Sequence, residues 1–185
     1  MEKKIKILGF AGSLRTGSYN RMLLNNAVEL APPGIDLEVF DLAGIPVFNQ
    51  DFEKDPPAIV KDFKSRIKAS DAILFVSPEA NYSVPGVMKN AVDWASRPYG
   101  DNSFKEKPAA IMSASTGSLG GARAQYHLRQ IMVFLEMHPI NRPEVMVPFA
   151  SQAFNSEGRL IDPKARDLVK NLLIGLYNWT VKLQG

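Results

Sequence analysis

The sequence predicts a doubly wound α/β fold in one domain, residues 1–185. Five short strand-like runs alternate with five segments of helical periodicity. The third strand-like run, 72–76, is apolar at every position, as in a parallel strand that is covered on both faces. No internal repeat or linker interrupts the alternation. This order of elements is typical of one open sheet with helices on both sides.

The strand-like runs are short and rich in apolar residues, and the second largely alternates polar with apolar positions. The predicted strands are residues 4–10, 36–41, 72–76, 108–114 and 145–147. The helical segments carry apolar residues at intervals of three and four, and Pro32 ends the first of them. The predicted helices are residues 20–31, 59–67, 86–96, 122–137 and 163–183.

The composition excludes several classes of site. The chain has a net charge of +3 and a pI near 9.1, and its basic residues are scattered, so the sequence indicates no nucleic-acid partner. The absence of cysteine excludes disulfides, thiolate metal sites and cysteine nucleophiles, and no metal-ligand spacing is found. No apolar run approaches the roughly 18 residues of a membrane span, and no signal-peptide pattern is found. We therefore expect a soluble, cytoplasmic protein without a membrane partner.

The loops after the first, third and fourth predicted strands are the unusual ones. They comprise residues 12–20, 77–86 and 115–121. In both common strand orders of a doubly wound sheet, ligands bind beyond the carboxyl ends of the strands, at the switch point. We expect these three loops to lie together at that edge and to form a ligand site.

The first loop, Gly-Ser-Leu-Arg-Thr-Gly-Ser-Tyr-Asn, lies between a buried strand and a helix N-terminus. Hydroxyl groups, the Arg15 guanidinium and free backbone N–H groups are suited to a phosphate. A nucleoside-triphosphate loop would have Lys where Ser18 stands, and no dinucleotide fingerprint is found. The loop therefore predicts a phosphomonoester that is held and not transferred. The alternative is a polar turn in which Ser18 or Asn20 caps the helix.

The second and third loops have distinct compositions. The second contains two prolines, together with Asn81 and Tyr82, which can present an amide and an aromatic surface to a planar heterocycle. The third has three glycines and three hydroxyl residues in seven positions, which allows the backbone to approach a ligand closely. The alternatives are a rigid turn and a flexible link.

Three stretches together resemble the NAD(P)H-dependent FMN reductase family, and within it the small quinone, chromate and azo-dye reductases. They are GSLRTGSYN (12–20), PEANYSVPGVMKNAVDW (78–94) and GGARAQYHLRQ (120–130). The resemblance implies a flavodoxin-like three-layer α/β/α sandwich with a five-stranded parallel sheet in the order 2-1-3-4-5.

The resemblance also implies an FMN site in which the first loop holds the phosphate, the second runs along the isoalloxazine and the third approaches the pyrimidine side. The residues with implied FMN contacts are Ser13, Arg15, Ser18, Tyr19, Asn20, Pro78, Glu79, Ala80, Asn81, Tyr82, Ser115, Gly117 and Gly120. One position departs from the family, because an aromatic residue usually stands where this chain has Ala80.

The implied activity is electron transfer from NADPH or NADH through FMN to quinones, with azo dyes, chromate and free flavin as further acceptors. The flavin carries the redox chemistry, so no side chain is assigned as catalytic, and neither His127 nor His138 has a readable partner group. A flavodoxin-like electron carrier and a flavin-binding sensor remain alternatives. The resemblance further implies a homodimer or homotetramer formed through the helix with Arg123, Tyr126 and Arg129; on pattern alone, a solvated face is equally compatible.

Overall fold

The computed structural model describes residues 4–185 and contains a parallel sheet between two layers of helices. Its strands are β1 (Ile5–Ala11), β2 (Ile35–Phe40), β3 (Ala72–Val76), β4 (Pro108–Ala114), β5 (His138–Pro139) and β6 (Val145–Val147). Its helices are α1 (Tyr19–Leu30), α2 (Ala58–Ala69), α3 (Gly86–Ala95), α4 (Ala122–Phe134), α5 (Ala150–Ala153) and α6 (Pro163–Gln184). Residues 1–3 of the predicted domain lie outside the described residues.

The strand order is β2-β1-β3-β4, and both β5 and β6 pair in parallel with β4. The flavodoxin-like order 2-1-3-4-5 is therefore confirmed, with the fifth position built from two short segments. Only the second of them, β6, was predicted. The pairing with β4 is interrupted at residues 140–144, a stretch between the two segments that contains Pro143.

The sheet separates two hydrophobic cores, and successive residues of its strands point into opposite ones. In β3, Leu74 packs on the side of α1 and α6, whereas Phe75 packs on the side of α2, α3 and α4. Every residue of β3 is buried, as the continuous apolar run predicts. The three-layer arrangement follows from this double coverage.

Most element bounds agree with the predictions to within about two residues, and α4 is the exception. It ends at Phe134, three residues before the predicted end. The cause is Glu136, whose φ of 55° is left-handed and cannot continue a right-handed helix. Among residues 4–185, no helix is long and apolar enough to cross a membrane.

Candidate functional site

Three loops leave the carboxyl ends of adjacent strands and meet at one edge of the sheet. We name them loop A (12–18, after β1), loop B (77–85, after β3) and loop C (115–121, after β4). The first residue of each loop continues the pairing between strands: Gly12 N–H donates to Val76 O over 2.9 Å, Ser77 N–H to Met112 O over 3.1 Å and Ser115 N–H to Val147 O over 3.0 Å. The predicted gathering of these loops is confirmed.

Loop A presents hydrogen-bond donors to solvent at the N-terminus of α1. The exposed Arg15 guanidinium donates from Nη2 to the Gly17 carbonyl over 2.7 Å, and its other N–H groups remain for a ligand. Apart from its chain neighbours, no heavy atom of the described residues lies within 4 Å of the position that a Cβ would take at Gly17. The first N–H groups of α1 lack intrahelical acceptors and carry partial positive charge. This open, donor-rich loop fits an anion.

Ser18 closes loop A as the N-cap of α1. Its Oγ accepts a hydrogen bond from the Arg21 N–H over 3.4 Å, and its own N–H donates to the Arg15 carbonyl over 3.1 Å. The capping alternative from the sequence therefore describes what the Ser18 oxygen does. A serine oxygen that accepts a hydrogen bond can also donate its hydroxyl hydrogen, and Ser13 in the same loop is half-buried.

Asn20 and Tyr19 connect loop A to the rest of the molecule. The Asn20 amide is buried, donates to the Ala114 carbonyl over 2.8 Å and accepts from the Ala114 N–H over 3.0 Å. The Tyr19 ring packs against Phe154, with 5.6 Å between the ring centroids. Both side chains hold α1 in place, and the Asn20 amide has a second N–H besides the one that Ala114 accepts.

Loop B has a tight hairpin at its tip. Ala80 N–H donates to Ser83 O over 3.0 Å, and Ser83 N–H donates back to Ala80 O over 2.9 Å. The two residues between them, Asn81 and Tyr82, have left-handed φ angles of 48° and 66°. Ala80 is exposed and Pro78 is half-buried. The aromatic surface of loop B comes from Tyr82, whose side chain is 69% exposed.

Glu79 is bound to α4. Its side chain is only 10% exposed; Oε2 accepts the Arg123 N–H over 3.1 Å, and Oε1 accepts from Arg123 Nε. The Arg123 guanidinium lies over the Tyr82 ring, with Cζ 3.6 Å from the ring centroid. The family resemblance implies a flavin contact for Glu79 and a subunit contact for Arg123, and no spacing pattern signals a pair 44 positions apart.

Loop C is held against β6 and the residues that follow it. Gly117 O accepts the Phe149 N–H over 3.3 Å, and Ser115 O accepts the Ala150 N–H over 2.9 Å. Ser115 Oγ accepts the Gly117 N–H over 3.1 Å. A Cβ at Gly120 would lie 2.7 Å from the Met146 carbonyl carbon, so packing within the protein is what requires glycine there.

Exposed apolar side chains surround the meeting point of the three loops. We name Leu14, Tyr82, Leu119 and Phe149 the apolar rim, and each is about half exposed or more. Phe149 was missed by the sequence analysis; it has a left-handed φ of 46°, which is unusual for a bulky residue. A cavity of about 530 Å³ lies beside Phe149 on the outer side of β6, and not between the loops.

Several side chains of α4 bond within the chain. Tyr126 OH donates to Glu144 Oε1 over 3.3 Å, and Arg129 Nη2 donates to Ile140 O over 2.9 Å. His127 Nδ1 lies 2.8 Å from Ser83 Oγ in loop B. The other histidine, His138, lies in β5 and bonds to Glu106, and this hydrogen bond holds the pKa of the Glu106 carboxyl below its ordinary value.

The donor set and the open surface at this edge fit FMN. Loop A offers guanidinium, hydroxyl and backbone N–H donors to a terminal phosphate. The apolar rim and the Tyr82 ring offer surface to a planar heterocycle. A Cβ at Gly117 would meet only Ser115 Oγ, at 3.6 Å, so the protein itself leaves that side of loop C open.

Residues 5–152 match the family model described as NADPH-dependent FMN reductase. An NAD(P)H-dependent FMN reductase of Pseudomonas aeruginosa is 52% identical over 186 residues, which cover 100% of both chains. An NAD(P)H:quinone oxidoreductase of Solanum tuberosum is 44% identical over 188 residues, which cover 98% of this chain and 95% of that one. The structure of FerB, a flavoenzyme NAD(P)H:(acceptor) oxidoreductase from Paracoccus denitrificans, has a TM-score of 0.88 and 34% identity, covering 96% of this chain and 98% of that one.

Proposed function

The chain belongs to the NADPH-dependent FMN reductase family, and we propose that loops A, B and C hold the FMN through which it passes electrons from NAD(P)H to a quinone. The oxidoreductase class and the FMN cofactor come with the family. What we propose is which residues of this chain bind the FMN. One observation supports it most: an open, donor-rich loop, an exposed aromatic ring and an open glycine lie on the loops that follow three adjacent strands, at one edge of the sheet.

In this proposal loop A binds the FMN phosphate. Arg15 supplies a charge-assisted hydrogen bond, because four of its five guanidinium N–H groups are free of the Gly17 contact. Ser13 and Ser18 donate through their hydroxyl hydrogens, and the N-terminus of α1 adds its partial positive charge. Asn20 and Tyr19 contribute by fixing α1, with one Asn20 N–H left to reach the ligand.

Loops B and C receive the ring system. Bound FMN supplies a hydride acceptor and an electron donor to the quinone, chemistry that belongs to the cofactor. In this proposal the backbone from Pro78 to Tyr82 borders one edge of the ring system, because this part of loop B ends in an exposed hairpin tip. Ser115 and Gly117 border the other edge, and Gly120 supports loop C from beneath by packing on β6.

No side chain is assigned as a proton donor or acceptor. Both oxygens of the Glu79 carboxylate accept hydrogen bonds from Arg123. The His127 Nδ1 atom faces loop B and is hydrogen-bonded to Ser83 Oγ. In this proposal the protein binds and orients the flavin, and the apolar rim borders the ring system.

We further propose that the protein is a homodimer or homotetramer through α4. Arg123, Tyr126 and Arg129 are engaged within the chain, so the apolar end of the helix is the more attractive contact. Val133 is 80% exposed and Phe134 74% exposed there. Light scattering at micromolar concentration tests this, and a 20.4 kDa monomer would contradict it.

Azo dyes, chromate and free flavin are proposed as secondary acceptors, because a reduced flavin at an exposed edge reacts with many oxidants. The same proposal treats the chain as a single FMN-binding domain. It places the reaction in the cytoplasm, since its reductant NAD(P)H is an intracellular dinucleotide.

The test is the visible spectrum of the purified protein with FMN, followed by anaerobic addition of NADPH, and separately NADH. Flavin bands that shift on binding and then bleach rapidly support the proposal. Bound flavin that stays oxidised would point to an electron carrier or sensor. A spectrum identical to that of free FMN would contradict the site itself.

A further inference from the structure

We propose that a cavity between residues 139–142 and the C-terminal half of α6 is a second binding site, which takes a small aromatic carboxylate of one or two rings. The cavity has a volume of about 350 Å³. This volume lies near the lower end of the range of about 300–1,000 Å³ that is usual for small-molecule sites, which favours a ligand of this size.

The cavity and the edge with loops A, B and C lie at opposite ends of β4. Pro139 lines the cavity and pairs with Ala109 near the start of β4, whereas loop C follows Ala114 at its end. The strand from Ala109 to Ser115 spans about 20 Å. A ligand of one or two rings in the cavity does not reach loop C of the same chain, so the inference is independent of the proposed function.

One face of α6 forms a wall of the cavity. Four of its residues lie at intervals of three and four, which brings their side chains onto the same face of the helix. They are Gly175, Asn178, Trp179 and Lys182. This face therefore presents an aromatic ring between an amide and an ammonium group.

Trp179 provides an aromatic surface of fixed orientation. Its Nε1–H donates to the His138 carbonyl over 2.9 Å, and the side chain is half-buried. Lys182 Nζ lies 5.5 Å from the centroid of the Trp179 ring, so a cation stands beside the aromatic surface. A planar ligand gains apolar contact and offset stacking against such a ring.

The charged groups of the cavity are cationic. Arg142 and Lys182 both line it and are exposed, and neither forms a hydrogen bond or an ion pair within residues 4–185. No Asp or Glu of the described residues lines the cavity. A guanidinium group can bind a carboxylate through two parallel hydrogen bonds. The lining therefore favours an aromatic ligand that carries a carboxylate.

Gly175 leaves space in the cavity beside these groups. A Cβ at this position would make only ordinary contacts, the nearest at 3.5 Å from Ile140 Cδ1, and φ lies outside the left-handed region. The fold therefore does not require glycine here, although glycine is unfavourable in the interior of a helix. The missing side chain keeps the cavity open next to Trp179.

The first experiment compares a charged probe with its neutral counterpart. Titration calorimetry measures binding of 2-naphthoate and of 2-naphthamide to the FMN-loaded protein, and we expect the carboxylate to bind at least about tenfold more tightly. Arg142→Gln should lower the affinity for 2-naphthoate about tenfold and change that for 2-naphthamide less than about twofold. Arg159→Gln, at an arginine that pairs with Glu157, is the matched control. Equal affinities of the two probes, or no effect of Arg142→Gln, overturn the inference.

The second experiment fills the cavity. Gly175→Leu should weaken binding of 2-naphthoate at least about tenfold and leave FMN affinity unchanged, because its side chain would occupy the space of the ligand. Thermal unfolding confirms that the variant is folded. If it is not, Gly175→Ala serves instead, with a higher midpoint of unfolding and about threefold weaker binding. Wild-type affinity in the folded variant would place the probe elsewhere, for example over the flavin, and overturns the inference.

A third measurement locates the probe on the protein. The chain has two tryptophans, and Trp94 is 2% exposed and lies outside the cavity. In nitrogen–proton correlation spectra of the FMN-loaded protein, saturating 2-naphthoate should shift the indole resonance of Trp179 and leave that of Trp94 in place. Trp179→Phe assigns the two resonances. A Trp179 resonance that does not move at saturation overturns the inference.

Discussion

Asn20 and Ala114 lie 94 positions apart in the chain and form a closed pair of hydrogen bonds in the interior. The Asn20 side chain takes the place of a strand neighbour at the carboxyl end of β4, where it satisfies both the N–H and the C=O of Ala114. Because Asn20 lies in the first turn of α1 and Ala114 precedes loop C, this pair fixes α1 relative to loop C.

Asn20→Ala should therefore destabilise the protein and loosen the site together. The change leaves two buried backbone groups unsatisfied, and we expect the free energy of unfolding to fall by about 2–4 kcal/mol. Urea denaturation followed by circular dichroism measures it. Asn25→Ala, at an exposed position on the same helix, is the matched control and should change stability by less than about 0.5 kcal/mol. Equal denaturation midpoints for the two variants would contradict the role of Asn20.

Arg15→Ala should weaken FMN binding. The side chain is exposed and, among residues 4–185, bonds only to the nearby Gly17 carbonyl, so its loss should leave the fold intact. A lost charge-assisted hydrogen bond to phosphate corresponds to roughly 10- to 100-fold in the dissociation constant. Fluorescence titration of FMN measures this constant, with Arg159→Ala as a control at an arginine that pairs with Glu157 away from loop A. An FMN affinity equal to that of the wild type would refute the phosphate assignment.

The sequence predicted what depends on local pattern. The all-apolar run of β3 and the order of the loops were sufficient to predict that the three loops gather at one edge of the sheet. The divided fifth position escaped prediction, because His138–Pro139 is too short to show a period. The contacts between Glu79, Arg123 and Tyr82 escaped for another reason. These contacts join residues that are far apart in the chain, and they depend on side-chain geometry and on the left-handed φ angles of the hairpin. Neither feature produces a periodic pattern in the sequence.

The stability of the protein should depend on pH through Asp101. Lys64 and Lys68 of α2 contact its two carboxylate oxygens at 2.9 Å and 2.5 Å. Burial alone would raise the pKa of Asp101, but the hydrogen bonds from Lys68 and Lys64 outweigh it and hold the pKa below its ordinary value. The folded state therefore binds this proton less tightly than the unfolded chain does. The Asp101 carboxylate therefore stabilises the folded state fully above the pKa of about 3.9 that Asp has in the unfolded chain. This stabilisation is lost as the pH falls through the lower pKa of the folded state.

Asp101→Asn should accordingly be less stable than the wild type at neutral pH, and the difference should shrink as the pH falls from about 5 to about 2. Urea denaturation at a series of pH values measures both proteins. Lys68→Met removes one of the two partners and should show a smaller dependence than the wild type. Parallel stability curves for wild type and Asp101→Asn would contradict this account.

Substitutions at two glycines of loop C, Gly117 and Gly120, should distinguish an effect on FMN binding from an effect on folding. A Cβ at Gly120 would lie 2.7 Å from the backbone of Met146, and its φ of 59° is unfavourable for other residues. At Gly117 a Cβ would meet only Ser115 Oγ, at 3.6 Å, and φ lies outside the left-handed region. The protein therefore requires glycine at position 120, whereas position 117 has room for a Cβ.

Gly117→Val should fold with a stability near that of the wild type but bind FMN at least about tenfold more weakly, because its side chain would occupy the space proposed for the ring. Gly120→Ala should instead lower the free energy of unfolding by about 1–3 kcal/mol, since the strained backbone cannot move away from Met146. Denaturation and FMN titration of both variants give the comparison. A Gly117→Val protein that purifies yellow and saturated with flavin would show that loop C does not border the ring.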